Sequence, residues 1–170
     1  SGSNVKVNFG GELVIQQVTL TTYSENFVIE GSLTTSGGTM VNYVPGEIYY
    51  NAGADWSMNQ FTFTNHSKLI MNADADWKNC TVSLQQGGTT EINEEITIKN
   101  MTLQNNGDII GYGHIYEPNG NANFSSNGTI NGCQGNSCIP PSTVGKITYL
   151  AAPLGGGGTF VPVDGGPLPS

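Results

Sequence analysis

Two hexapeptides, Asn51-Ala-Gly-Ala-Asp-Trp56 and Asn72-Ala-Asp-Ala-Asp-Trp77, place equivalent residues 21 positions apart. A fixed spacing of this size marks a stacked repeat and restricts the chain to solenoid or array architectures. Extended in both directions, the frame divides the chain into units 30–50, 51–71, 72–92, 93–111 and 112–132, four of 21 residues and one of 19. Each unit ends in an apolar-x-apolar step, a bend rich in Asn, Ser and Gly, and a second apolar pair. Phe61-Thr-Phe-Thr-Asn-His-Ser-Lys-Leu-Ile-Met71 and Val82-Ser-Leu-Gln-Gln-Gly-Gly-Thr-Thr-Glu-Ile92 are clear copies, and the stretches 101–111 and 122–132 continue the series.

A unit of about 20 residues with three short strand-like pieces is one coil of a parallel β-solenoid, because a single coil cannot bury its apolar face without neighbours. Coils stack at the ~4.8 Å strand spacing, so seven units give a rod about 30 Å long. Equivalent residues then form columns. The expected apolar columns are Leu33, Ala54, Ala75, Ile96 and Ile115, and Phe63, Leu84, Leu103 and Phe124. Ser67, Gly88, Gly107 and Gly128 line up in the bend, where a positive φ or close backbone approach suits Gly. Beside them Asn65, Gln86, Asn105 and Ser126 align as a side-chain ladder. Asn42 fits poorly in the Phe63 column, and a one-residue slip turning Val41 and Tyr43 inward would repair it. An antiparallel sandwich of evenly spaced hairpins is the alternative architecture.

The frame leaves residues 1–29 as two less regular terminal coils, so the solenoid spans 1–132. Beyond it lie a Cys133–Cys138 loop, a lone strand at Lys146–Leu150 and a Gly/Pro-rich linker or tail, which make up 133–170. Cys133-Gln-Gly-Asn-Ser-Cys138 spans a polar loop short enough for a disulfide, leaving Cys80 as a buried thiol.

Charge narrows the partners. Charged residues are only 11% of the chain, the net charge is −8, and the cations are five lysines with no arginine. Phosphate recognition normally uses a basic patch with arginine forks, so no nucleic acid is expected. No run approaches the ~20 apolar residues of a membrane span.

The hexapeptides also carry the candidate sites. Trp56 and Trp77 share a strand face with Ala54 and Ala75 and read as interior fill. Exposed, the same indoles would be a sugar-stacking platform. The opposite face carries Asp55 and Asp76, with Asp74 and Glu95 beside them, and a Ca²⁺ ion would relieve their repulsion with hard oxygen ligands. No other cofactor is expected. His66 sits in a bend shared with Gly87 and Asn127, His114 in a turn, and the adjacent Glu94 and Glu95 point to opposite faces, so no acid–base pair converges. The chain therefore reads as non-enzymatic. Thr62/Thr64 and Thr21/Thr22 do not suggest a regular Thr-x-Thr ladder of the ice-binding kind.

Leu103-Gln-Asn-Asn-Gly-Asp-Ile109 and Phe124-Ser-Ser-Asn-Gly-Thr-Ile-Asn-Gly132 resemble the N-N-G-x-I coils of secreted bacterial β-solenoid surface proteins. Val163-Asp-Gly-Gly-Pro-Leu-Pro169 is similar to the junction before the C-terminal region of type IX secretion substrates. The resemblance implies an exported cell-surface protein whose repeats serve as a stalk or adhesive module, in contact with glycan or partner proteins. The alternatives are a polysaccharide-processing β-helix and a subunit that self-associates through its solenoid ends, where uncapped strands leave pairing edges.

Overall fold

The computed structural model describes residues 4–119, 121–139, 146–151 and 159–164. Strand β1 (Asn4–Val7) closes a partial coil, and six three-stranded coils follow. They are β2 (Glu12–Gln16), β3 (Thr19–Thr22) and β4 (Asn26–Ile29); then β5 (Ser32–Ser36), β6 (Thr39–Asn42) and β7 (Glu47–Tyr50). Next come β8 (Asp55–Asn59), β9 (Phe61–Asn65) and β10 (Lys68–Met71), and β11 (Ala75–Lys78), β12 (Cys80–Leu84) and β13 (Thr89–Ile92). The last two are β14 (Glu95–Lys99), β15 (Thr102–Asn105) and β16 (Asp108–Ile110), and β17 (His114–Glu117), β18 (Asn123–Ser126) and β19 (Thr129–Ile130).

Stacking of equivalent strands, all parallel, produces three walls around one core. The first wall holds β2, β5 and β8 in one sheet and β11, β14 and β17 in another; the second holds β3 through β18; the third holds β1 through β19. The chain is a parallel β-solenoid, as the repeat requires. Strand alternation places apolar residues inward, as in β9, where Phe61, Phe63 and Asn65 are buried and Thr62 and Thr64 half-buried.

On the third wall the expected frame holds without correction: Tyr50 pairs with Met71 and Met71 with Ile92, each step 21 residues. The second wall departs from it. Phe63 stacks on Met40 and on Val82, a step of only 19 residues to the latter, so Val82 and not Leu84 belongs to the column continued by Leu103 and Phe124. The difference lies in the corners: β9 reaches β10 across two residues, whereas β12 reaches β13 across Gln85–Gly88. The coil length is conserved while its residues are shared differently among the corners.

That shift corrects three expectations. Asn42 needs no slip; it is buried, pairs with Asn65, and belongs to a column of Thr22, Asn42, Asn65, Leu84, Asn105 and Ser126. Leu84, not Gln86, occupies the fourth position. On the first wall Leu33 stacks on Trp56, while Ala75, Ile96 and Ile115 align as expected and Ala54 sits in the preceding corner.

The inward amides hold the second corner. Asn42 Nδ2 donates to Asn65 Oδ1 at 2.9 Å and to the Lys68 carbonyl at 3.0 Å; Asn65 Nδ2 donates to the carbonyls of Ser67 and Thr89 at 3.2 and 3.3 Å. Asn105 Nδ2 repeats the pattern on Ser126 Oγ and the Thr129 carbonyl, each at 3.0 Å. These bonds satisfy corner carbonyls that the parallel ladders cannot reach. In the adjacent bend column Gly107 and Gly128 lie so close to the backbone of the coil below that a Cβ on either would collide with a carbonyl oxygen. Close approach, not a positive φ, selects glycine there.

At the far end the chain doubles back. β20 (Cys133–Gln134) pairs antiparallel with β19, and β21 (Lys146–Ala151) pairs antiparallel with β17. β22 (Thr159–Asp164) pairs with β21, so the expected lone strand has partners on both sides and part of the expected tail is strand. Gly155–Gly158 and Gly165–Ser170 lie outside the described residues. The Cys133–Cys138 disulfide is formed, with Cα atoms 5.9 Å apart.

Candidate functional site

The hexapeptides set the core. Trp56 and Trp77 are 3% and 0% exposed, so neither indole offers a face to a sugar and the platform at these positions is ruled out. Trp56 meets Phe63 edge-on at 5.4 Å and donates its indole N–H to Thr35 Oγ1 at 3.0 Å. The Trp77 indole N–H is buried without an acceptor. Between the two, β8 and β11 lie side by side but share no ladder, and the first wall splits there. A continuous ladder would stack Asp55 on Asp76, a like-charge pair unfavourable by up to about 1 kcal/mol.

The acidic residues do not converge. Asp55, Asp74 and Asp76 are exposed and Glu95 is half-buried. Asp74 Oδ1 accepts the backbone N–H of Glu95 at 2.9 Å, tying one coil to the next. Among the described residues no three carboxylate, imidazole or thiol groups come together in a way that would hold a metal ion, so the expected calcium cluster at Asp55, Asp74, Asp76 and Glu95 is not assembled. Their field reaches inward instead: burial, reinforced by Asp55, Asp76 and Asp74, holds the Tyr50 hydroxyl well above its ordinary range. Cys80 is buried and its thiol is pushed up to about 12 by desolvation. His114 is held below its ordinary value by burial, against the opposing pull of Glu95, Glu94 and Asp74.

The distinctive surface lies on the second wall. Its six strands, β3, β6, β9, β12, β15 and β18, contain no charged residue, although charged side chains stud the other two walls. One outward column reads Thr19, Thr39, Thr62, Thr81, Thr102 and Asn123. The sequence frame missed this threonine column because it exists only in the 19-residue register between β9 and β12. The next outward column, Thr21, Val41, Thr64, Ser83, Gln104 and Ser125, is mixed, so the wall is a hydroxyl-rich surface without a double Thr-x-Thr lattice.

Both borders of this wall are built from stacked side chains. At the second corner Tyr23 and Tyr43 stack with centroids 5.5 Å apart, and Tyr43 and His66 at 4.7 Å. The two tyrosines are 57% and 38% exposed. His66 thus shares its column with Tyr43, and with Gln85 rather than Gly87, because each of these N–H groups donates to the coil before it. At the first corner Gln17, Gly37, Gln60, Asn79 and Asn100 each take a left-handed conformation, one per coil, which Asn and Gly adopt at least cost.

Along that first corner runs a trough of about 670 Å³ across four coils. Gln60, Asn79, Asn100 and Asn121 supply one amide per coil, Thr62, Thr81 and Thr102 supply hydroxyls, and Phe61, Cys80 and Met101 form the buried floor. Asn100 Nδ2 donates to Asn79 Oδ1 at 2.8 Å, and the Asn100 backbone N–H donates to Asn121 Oδ1 at 2.8 Å. No carboxylate, amine or imidazole lines the trough. Its chemistry is hydrogen bonding to neutral groups, with no side chain placed for proton transfer.

The repeated Asn-x-Thr triplets at Asn79 and Asn100 acquire a structural reason here. The Asn turns the corner, the middle residue points into the core, and the Thr begins the outward column. Comparison with protein-family models, with curated proteins and with solved structures finds no match.

Proposed function

We propose that this chain is a non-enzymatic, extracellular adhesive module that uses its second wall to contact polysaccharide. The observation that carries the reading is the charge-free wall, which is rich in hydroxyls and amides and bordered by exposed aromatic rings. Burying an uncharged hydroxyl surface against another avoids the desolvation cost that a charged wall would impose. Tyr23 and Tyr43 add amphipathic rings of the kind that meet sugar C–H and O–H groups together. Export to the cell surface is supported by the resemblance of the 103–132 coils to secreted solenoid proteins. The test incubates the protein with insoluble polysaccharides and measures both retention and released reducing ends. Retention without release is expected; release of product would replace this reading with the processing-enzyme alternative.

Self-association is a second reading, favoured by one asymmetry. The outer edges of β1, β2 and β3 carry no strand partner among the described residues, whereas β20 and β21 cover β19 and β17 at the other end. An open edge at one end alone pairs two copies head to head and stops at a dimer. Sedimentation at rising concentration should then show a monomer–dimer equilibrium, and longer assemblies would contradict it.

A further inference from the structure

We infer that the trough along the first corner binds a single unbranched, uncharged polysaccharide chain, lying along the solenoid axis with one sugar against each coil. The inference rests on the polysaccharide reading above and specifies its site, ligand class and direction.

Periodicity sets the direction. Gln60, Asn79, Asn100 and Asn121 recur once per coil, at the ~4.8 Å strand spacing. That rise is close to the advance per sugar of an extended pyranose chain, so successive sugars meet equivalent groups. A chain lying across the walls would meet a different environment at every residue.

Unused hydrogen-bonding capacity sets the chemistry. The ladder consumes Asn79 Oδ1, Asn100 Nδ2 and Asn121 Oδ1. Asn79 Nδ2, Asn100 Oδ1 and Asn121 Nδ2 have no protein partner among the described residues. Donor, acceptor and donor therefore alternate along the axis, and a sugar hydroxyl, being both donor and acceptor, can meet each in turn. Thr62, Thr81 and Thr102 add a parallel row of hydroxyls one strand position away. Each amide is already pinned through its other atom, so little side-chain freedom is lost when a ligand arrives.

Charge selects a neutral chain. Nothing titratable lines the trough except the buried Cys80 thiol. Lys78 and Lys99 stack nearby on the first wall, but Asp76 and Glu95 lie on the same two strands and offset them. With a net charge of −8, the protein as a whole repels an anionic polymer.

The experiment titrates the full chain calorimetrically with neutral gluco-, xylo- and manno-oligosaccharides of increasing length, and with uronate oligosaccharides. Affinity is expected to rise with length and level off near four sugars, at about one per ~4.8 Å coil. Asn100→Gly keeps the left-handed corner but removes the amide, and Thr81→Val with Thr102→Val removes hydroxyls while retaining shape and strand propensity. Each variant, shown to melt like wild type, is expected to weaken binding about tenfold, whereas Lys78→Gln with Lys99→Gln leaves it unchanged. Neutral binding that survives both trough variants overturns the inference while leaving a polysaccharide-contacting wall intact. Binding of uronates that disappears with the lysines overturns it in favour of an acidic ligand. If no oligosaccharide and no insoluble polysaccharide binds, the inference and the reading beneath it fall together.

Discussion

Asn65→Ala is the most demanding test of the internal amide column. Asn65 is fully buried. Its Oδ1 accepts from Asn42 Nδ2 at 2.9 Å and from the Ser67 backbone N–H at 3.3 Å, while its Nδ2 donates to the Ser67 and Thr89 carbonyls at 3.2 and 3.3 Å. Truncation removes all four. Asn42 Nδ2 keeps its bonds to the Gly46 and Lys68 carbonyls, so the main cost falls on the Ser67 and Thr89 carbonyls. At about 1–3 kcal/mol for a buried group left unpaired, and with a small cavity added, the loss should be about 3–5 kcal/mol. At roughly 2–4 °C per kcal/mol for a chain of this size, Tm falls by roughly 10 °C, read by circular dichroism. Asn65→Leu separates hydrogen bonding from volume, since Leu84 occupies the same column one coil on. That leucine is accommodated by the longer Gln85–Gly88 corner, which Asn65 lacks. Asn65→Leu should therefore still cost about 2 kcal/mol. A leucine variant within about 0.5 kcal/mol of wild type, the range of ordinary surface substitutions, would refute the argument that the amide holds the corner.

Trp77→Phe should be better tolerated than Trp56→Phe, because the Trp77 N–H is unpaired whereas the Trp56 N–H bonds Thr35; chemical denaturation of both variants decides the order. Cys80, with its thiol pushed up to about 12, should resist alkylation at neutral pH until denaturant is added, as mass spectrometry would show. His114 has a folded pKa depressed below its ordinary 6.5, so the unfolded state binds the extra proton. Stability should be full above about 6.5 and decline as pH falls through the folded value, and Tm of His114→Gln should lack that component. Cys133→Ser with Cys138→Ser should lower stability by about 2 kcal/mol, the chain-entropy value for so short a loop, measurable by urea unfolding. Millimolar Ca²⁺ should leave Tm unchanged, since Asp55, Asp74, Asp76 and Glu95 do not converge.

The repeat of the hexapeptides was enough to establish the parallel solenoid, its wall-forming alternation and the interior place of Trp56 and Trp77. A fixed period with alternating apolar residues has few other ways to bury them. The Cys133–Cys138 pair was legible for a similar reason, since a short loop limits where two thiols can be. The candidate site was not legible. A period of 21 states how many residues complete a coil, but not how they divide among three corners. Phe63 facing Val82, Asn42 facing Asn65, and Thr62 facing Thr81 all follow from two residues moved from one corner to another, a change that leaves the period untouched. The strands locate themselves by packing inward side chains and satisfying corner carbonyls, and only the assembled core decides that compromise. The uncharged wall, the tyrosine–histidine stack and the amide trough are consequences of that register, so they emerged with the tertiary structure and not before it.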